Sequence, residues 1–445
     1  MLHLPSEVRA TDPMIDSLID EVHQQVGITP LPRCDDATFL RRLSLDLIGR
    51  VPSVTELKAF LDDPDRIGAI NQYLARNEHS QFWSQLWTTM LVGRSPRRGV
   101  EREVLRQWLA SSLADQVPLN QVAFDLIAAQ GGTSLNGPAN FVLASRDDPV
   151  MRLSRTFLSV QLDCAQCHDH PHDRWTNSDY NGMKRFFEPL VFREVAGGVL
   201  IEDRGIDERA EKPVFLTGRK PYTAAWRREL AWMVVRSKPF SRAMVNRTWY
   251  WLMGRGLVNP VDGWSRESPG KVPDLLEALA TDLRDNDYPL RVLIRKICSS
   301  QAYQRQSIAG GEVAPSEVAR EKLEAFFAAR TIRQQLPEQW LTSVAQVLDR
   351  PLPSQAQVAE QAVRLMGRTQ ASQTDNDPYD WSATTQSLIN QLAGEVPPPL
   401  RGLREIYLAT LARGPTDEEI AMAKSHSSQE ILFALVHCNE FVAND

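Results

Sequence analysis

The chain has 445 residues, 42% hydrophobic and 24% charged, and its 50 Lys and Arg fall short of 56 Asp and Glu, leaving a formal net charge of −6. The length allows about three domains, each able to bury a core, and no apolar run approaches the ~18–20 residues of a bilayer-spanning helix. An acidic balance argues against a nucleic-acid footprint, which is normally basic, and five cysteines are too few and too odd in number for a disulfide-built secreted module. The cations are 41 Arg and 9 Lys, an excess that GC-rich coding explains without any anion recognition.

Residues 1–20 contain no apolar stretch of signal-peptide type. The expectation is a cytoplasmic protein if Met1 is the native start, or an exported one whose leader has been removed. From there the pattern is helical. Met14 to Val26 places Ile15, Leu18, Ile19, Val22 and Val26 on one stripe, and Asp36 to Ile48 repeats the period with Gly49 as its stop. Ser53 followed by Glu56 predicts a capping box for a short helix, Val54 to Leu61. Helices over 67–77, 81–92 and 100–113 complete an N-terminal block, and Gly131 to Pro138 reads as a loop cluster.

The spacing next predicts a helix from Asp148 to Leu162 that ends at Cys164. Residues 191–218 are the one convincing strand-like stretch, a β-hairpin or extended linker. Helices near 224–236, 239–253, 273–285 and 289–301 follow, with five tryptophans (Trp226, Trp232, Trp249, Trp251, Trp264) expected to build an aromatic core. A further helical block spans Ser316 to Leu348. Arg350 to Thr384 reads as a mobile loop, and a helix pair, 400–413 and 417–442, closes the chain. The fold class is therefore mainly α and multi-helical, with a small β insertion near 191–218. The domain reading is a helical domain at 14–190, a strand-like linker at 191–218, a helical companion at 219–310 and a C-terminal helical region at 311–445.

Chemistry concentrates in residues 163–175, Asp-Cys-Ala-Gln-Cys-His-Asp-His-Pro-His-Asp-Arg-Trp. Cys164, Cys167 and His168 spell C-x-x-C-H, the attachment signature of c-type haem. Two thiols one turn apart can add to the two vinyl groups on one porphyrin edge, and the adjacent imidazole then ligates the iron. Composition alone would yield on the order of 10⁻³ such matches in this chain. Three of the eight histidines, His168, His170 and His172, fall within five residues. A Zn or Fe site built from Cys164, Cys167, His168 and either His170 or His172 is the alternative, although a usual zinc finger places its histidines a dozen or more residues downstream. A thioredoxin-like pair lacks its βαβ context, and a thiol pair that only staples a binding or scaffold module is the third reading. Met183, Met244 and Met253 are candidates for a distal ligand or for core filler. Cys298 and Cys438 lie in apolar runs as core thiols, and Cys34 stands alone. No phosphate loop, G-x-S-x-G, H-E-x-x-H or dinucleotide fingerprint occurs, so enzymatic activity is left open.

The stretches DDATFLRRLSLDLIGRVPSVTELKAFLDDP (Asp35 to Pro64) and FLSVQLDCAQCHDHPHDRWTNSDYNGMKRFF (Phe157 to Phe187) resemble the cytochrome-c-like domain of planctomycete proteins. The stretch AMVNRTWYWLMGRGLVNPVDGW (Ala243 to Trp264), with IYLATLARGPTDEEI near the C-terminus, is similar to the planctomycete-specific companion domain. Both are domains of unknown function. The resemblance points to Cys164, Cys167, His168, His170 and Pro171, and in the companion to Arg247, Trp249, Gly254, Arg255, Gly256, Pro260 and Asp262. It implies haem c as cofactor, a redox partner protein and an exported, periplasmic location. The companion set reads physically as a helix C-cap, a tight turn and a buried Arg–Asp pair. His172 stands where the family usually has Phe, and Val272 where it commonly has His.

Overall fold

A computed structural model describes residues 13–171, 173–207, 209–265, 267–308, 316–349 and 402–444. The expected mobile loop at Arg350 to Thr384 falls outside these residues, as does His172. The fold is mainly α with small sheets.

Helices α1 (Met14–Val26), α2 (Asp36–Ile48) and α3 (Val54–Asp62) form where the apolar period and the caps require them. Asp35 accepts the Thr38 N–H at 2.9 Å to start α2, and Gly49 ends it in the left-handed region at φ 74°. In α3 the Ser53 and Glu56 backbone amides each bond the other's side chain, at 2.7 and 3.2 Å. Next come α4 (Arg66–Ala75), α5 (Asn77–Val92), α6 (Arg102–Ala114) and α7 (Leu119–Ala128). Helix α7 escapes the sequence pattern because Pro118 supplies no side-chain cap. The glycine loop cluster contains β1 (Gly131–Gly132) and leads into α8 (Ala139–Ala144).

The single helix expected from Asp148 to Leu162 is not formed. Helix α9 (Pro149–Leu153) widens into one π-turn over Ser154–Leu158 and stops at Ser159, which is left-handed at φ 51°. The Cys motif therefore sits on its own 3₁₀ turn, Cys164–Gln166, ahead of α10 (Asn177–Arg185). The hairpin is present as β2 (Leu190–Val195) and β3 (Gly198–Asp203), but Lys212 to Leu216 is not a strand. After these run α11 (Trp226–Val235), α12 (Lys238–Met253), α13 (Pro273–Asp285), α14 (Leu290–Ser299), α15 (Gln301–Gln304) and α16 (Glu317–Ala325). Then come β4 (Arg333–Gln334), α17 (Pro337–Val347), α18 (Leu403–Leu411), α19 (Asp417–Ala423), α20 (Ser428–His437), α21 (Asn439–Val442) and β5 (Ala443–Asn444). The expected long helix over 417–442 is thus three, because Ser427 and Cys438 each adopt extended backbone and cap the next one.

Two compact units result. One combines Thr29–Phe82 with the described residues from Cys298 onward. Its core joins Leu45 and Val51 to Trp340, Leu341, Val344, Ile406 and Val436. At its centre the fully buried Asp46 carboxylate accepts from Tyr303 Oη at 2.9 Å, Arg330 at 3.2 Å and Asn444 at 2.7 Å, and also pairs with Arg333. Burial pushes the Arg330 pKa down to about 10 against the pull of Asp46. Nearby on the same unit, Arg50 bonds Glu56 at 3.0 Å and Glu78 at 2.8 Å.

The other unit comprises Pro13–Ile28 and Trp83–Ile297. Its antiparallel sheet has the order β1-β3-β2, with Gly131 opposite Ile201 and Leu190 opposite Asp203. Buried Arg227 ties this sheet to α7, donating to Asp203 and to the Ile127 and Ala129 carbonyls at 2.8 and 2.7 Å. The tryptophans do not form one core. Trp226 and Trp249 are buried and Trp251 meets Trp83 and Trp87 edge-on at 5.6 and 5.5 Å, but Trp232 is 42% exposed beside Phe124.

Candidate functional site

The Cys motif is a short turn held from three sides. Within it, the Cys167 and His168 amides both donate to the Cys164 carbonyl at 3.3 Å. From α10, the Asn177 side-chain amide donates to the carbonyls of Ala165 at 3.0 Å and Gln166 at 2.8 Å. The Asn177 backbone N–H in turn donates to Asp169 at 2.9 Å, so the first residue of α10 grips the motif on both flanks. Thr176 and Asp179 form the capping box that fixes where this helix begins.

The third support comes from the π-turn. Arg155 donates to Asp163, the residue before Cys164, at 2.6 and 3.2 Å, and to Asp262 at 3.2 Å. The Asp163 bond and then its charge raise the Arg155 pKa, so the guanidinium stays ionised. Asp262 also accepts from Gln161 at 3.1 Å, and the Ser159 carbonyl accepts the Trp264 N–H at 3.0 Å. The π-turn accounts for this layout. Its wider winding and the left-handed Ser159 turn the chain out of the helix, so that residues 159–163 run back past Arg155.

None of the five cysteines, all among the described residues, is in a disulfide. Cys34 and Cys298 are buried and Cys438 is half-buried, whereas Cys164 and Cys167 are exposed. Burial, reinforced by Asp46, pushes the Cys298 thiol far up, which leaves it inert. His168 is also exposed, and its Nδ1 lies 2.8 Å from the Asp169 carbonyl oxygen. Because a carbonyl only accepts, Nδ1 carries the proton, and in the neutral ring this leaves Nε2 with the lone pair that a metal needs. The His170 amide donates to the Trp175 carbonyl at 2.8 Å. Behind the turn, burial and the adjacent Asp148 carboxylate push the Tyr180 hydroxyl up to about 12. Among the described residues no three His, Cys, Asp or Glu side chains gather closely enough to hold a metal ion. Met183, Met244 and Met253 are buried in the core.

The companion-domain residues lie at the end of α12. Gly254 is its left-handed C-cap at φ 75°, and Gly256 is packed so closely that a Cβ would lie 2.4 Å from the Val258 carbonyl oxygen. The loop they begin is organised by Asn246, which bonds the Val258 N–H and C=O at 3.0 and 2.9 Å and the Val261 carbonyl at 3.2 Å. Trp249 is wholly buried and Arg255 half-buried. Asp262 faces Arg155 at hydrogen-bonding distance, so the Arg–Asp pair draws its arginine from the Cys-motif half of the chain and, contrary to the expectation of a buried pair, is partly exposed. Arg247 donates to the Arg155 carbonyl at 3.1 Å, and burial holds its pKa down to about 10. Arg155, Asn177 and Asn246 carry these supports without being among the site residues to which the resemblance points. The one local signal was an Asn directly after a capping Thr, close behind the histidines.

Residues 14–191 match the family model PSCyt2 and residues 226–342 match PSD1, described as proteins of unknown function (DUF1549 and DUF1553). The chain thus has the two-domain, planctomycete-type architecture. No curated protein and no solved structure matches it.

Proposed function

We propose that the protein is redox-associated and binds haem covalently; Cys164 and Cys167 would hold it through thioethers and His168 would offer its imidazole to the iron. The observation that carries this reading is the turn itself. It presents two exposed thiols and a histidine with Nδ1 already engaged by a carbonyl, so the donor set fits haem c. The bound group would supply one-electron transfer. The chain's own part is to hold the turn through Asn177 and Asp163 and to keep the His168 tautomer fixed. Thioether formation at such a motif normally follows export, so the reading puts the mature protein outside the cytoplasm, exchanging electrons with a partner protein. Among the described residues no helix is long and apolar enough to cross a membrane.

The test is expression of the chain with an export signal and haem-maturation machinery. A Soret band, with a mass gain of one haem that Cys164→Ala/Cys167→Ala abolishes, is expected. Protein with no Soret band and no mass gain overturns the reading. One Zn or Fe per chain in that same sample would move the assignment to the Cys/His metal site.

A further inference from the structure

A cavity of about 810 Å³ opens in the unit formed by Pro13–Ile28 and Trp83–Ile297, within the size range of small-molecule sites. Four guanidinium groups line it, Arg97, Arg152, Arg155 and Arg247, together with the carboxylates of Asp147, Asp148 and Asp262. Most of this charge is already used. Arg155 and Asp262 hold one another. Asp148 accepts from the Met151 N–H at 2.9 Å and from Tyr180 at 3.3 Å. Asp147 is exposed, so water and salt screen it.

Arg97 and Arg152 are left as like charges beside each other. Arg97 donates to the Ala144 carbonyl at 2.8 Å from the exposed rim. Arg152 is half-buried, and among the described residues no carboxylate pairs with it. Burial first, then the charge of Arg97, push its pKa down, the direction an uncompensated cation takes. Arg247 adds a buried Nε that has no hydrogen-bond partner among the described residues. A half-buried guanidinium without a counter-charge, as at Arg152, is costly, and planar N–H forks suit the oxygens of a carboxylate, phosphate or sulfate. The rest of the lining includes Met90, Met151, Pro260 and Val261, which offer contact to a carbon skeleton and not to a bare ion.

We propose that this cavity binds a small organic oxyanion, its charged head shared by Arg97 and Arg152 and its carbon body set against the apolar lining. The cavity lining includes no residue of the Cys164–His168 turn. It shares Arg155 and Asp262 with the support of the Cys turn, so the ligand sits one residue contact away from Asp163.

Calorimetric titration of the full chain tests this with bare acetate, phosphate and sulfate and with benzoate, phenyl phosphate and phenyl sulfate. Saturable binding of at least one phenyl compound, tighter than its bare ion, is expected, and the preferred head group identifies the class. Arg152→Met should weaken that binding about tenfold or more, the loss of one charge-assisted contact, with Arg152→Lys intermediate. Should Arg152→Met fail to fold by circular dichroism, Arg97→Met at the exposed rim carries the same expectation. The proposal is overturned if none of the six probes binds saturably at low salt. Unchanged affinity in the folded Arg→Met variants overturns it too, and bare ions binding as tightly as the phenyl compounds overturn its organic part. Haem attachment measured in parallel separates this outcome from the fate of the cysteine reading.

Discussion

Replacing Asn177 by Ala isolates what holds the Cys turn in shape. The substitution removes two side-chain hydrogen bonds, to the Ala165 carbonyl at 3.0 Å and the Gln166 carbonyl at 2.8 Å, while the backbone N–H to Asp169 survives. At about 1 kcal/mol net for each bond, the closed turn loses about 2 kcal/mol, or roughly a thirtyfold shift toward its open form. The amides that report the turn are those of Cys167 and His168, which share the Cys164 carbonyl. Their hydrogen exchange should therefore quicken by roughly thirtyfold, while amides of α12 keep their rates. Asn177→Asp, which sets a carboxylate against two carbonyls, should do at least as much. Exchange at both amides within about threefold of the parent would refute the reasoning, because the turn would then be held by its own backbone.

Three further outcomes follow from the packing. Asp46→Ala strips the carboxylate from between Arg330, Arg333 and Tyr303 and should cost about 3–5 kcal/mol in urea unfolding; a loss below about 1 kcal/mol contradicts the network's weight. Glu56 feels burial that would raise its pKa, yet the Arg50 bond and charge hold it down to about 2 from an ordinary 4.5. Its stabilisation, about 3 kcal/mol, is thus complete above pH 4.5 and drains away as the pH falls toward 2, so Glu56→Gln should flatten the acid limb of stability against pH. An acid limb of unchanged slope in that variant counts against it. Ser159 sits left-handed at φ 51°, so Ser159→Val should lower stability by about 1–2 kcal/mol whereas Ser159→Gly is tolerated; thermal midpoints in the reverse order would deny the strain.

What the amino-acid sequence disclosed was local. Asp35, Gly49, Ser53 and Glu56 mark helix ends by chemistry within four residues, and those ends appear where expected. Helix α7 was hidden because its start is a Pro without a side-chain cap. The helix drawn through to Leu162 failed because periodicity does not register a backbone that turns left-handed at a serine, while Val160 and Leu162 stay buried off the helix as they would on it. At the candidate site the C-x-x-C-H spacing was legible, but its support was not. Arg155 and Asp262 are 107 positions apart, and no local pattern pairs them. The arginines of the cavity were equally hidden, since a count of 41 Arg does not say that Arg97 and Arg152, 55 positions apart, line one cavity.

The bond between Arg155 and Asp262 also bears on modularity. Arg155 and Asp163 belong to the segment matched by the first family model, and Asp262 to the segment matched by the second. The same two segments meet again where the Trp264 amide reaches the Ser159 carbonyl. A gene cut between them would part a guanidinium from one of its two carboxylates and leave the cysteine turn with fewer ties. The two segments are therefore tied by a side-chain ion pair and a backbone bond as well as by the chain between them, and a change at Asp262 bears directly on the arginine that holds Asp163.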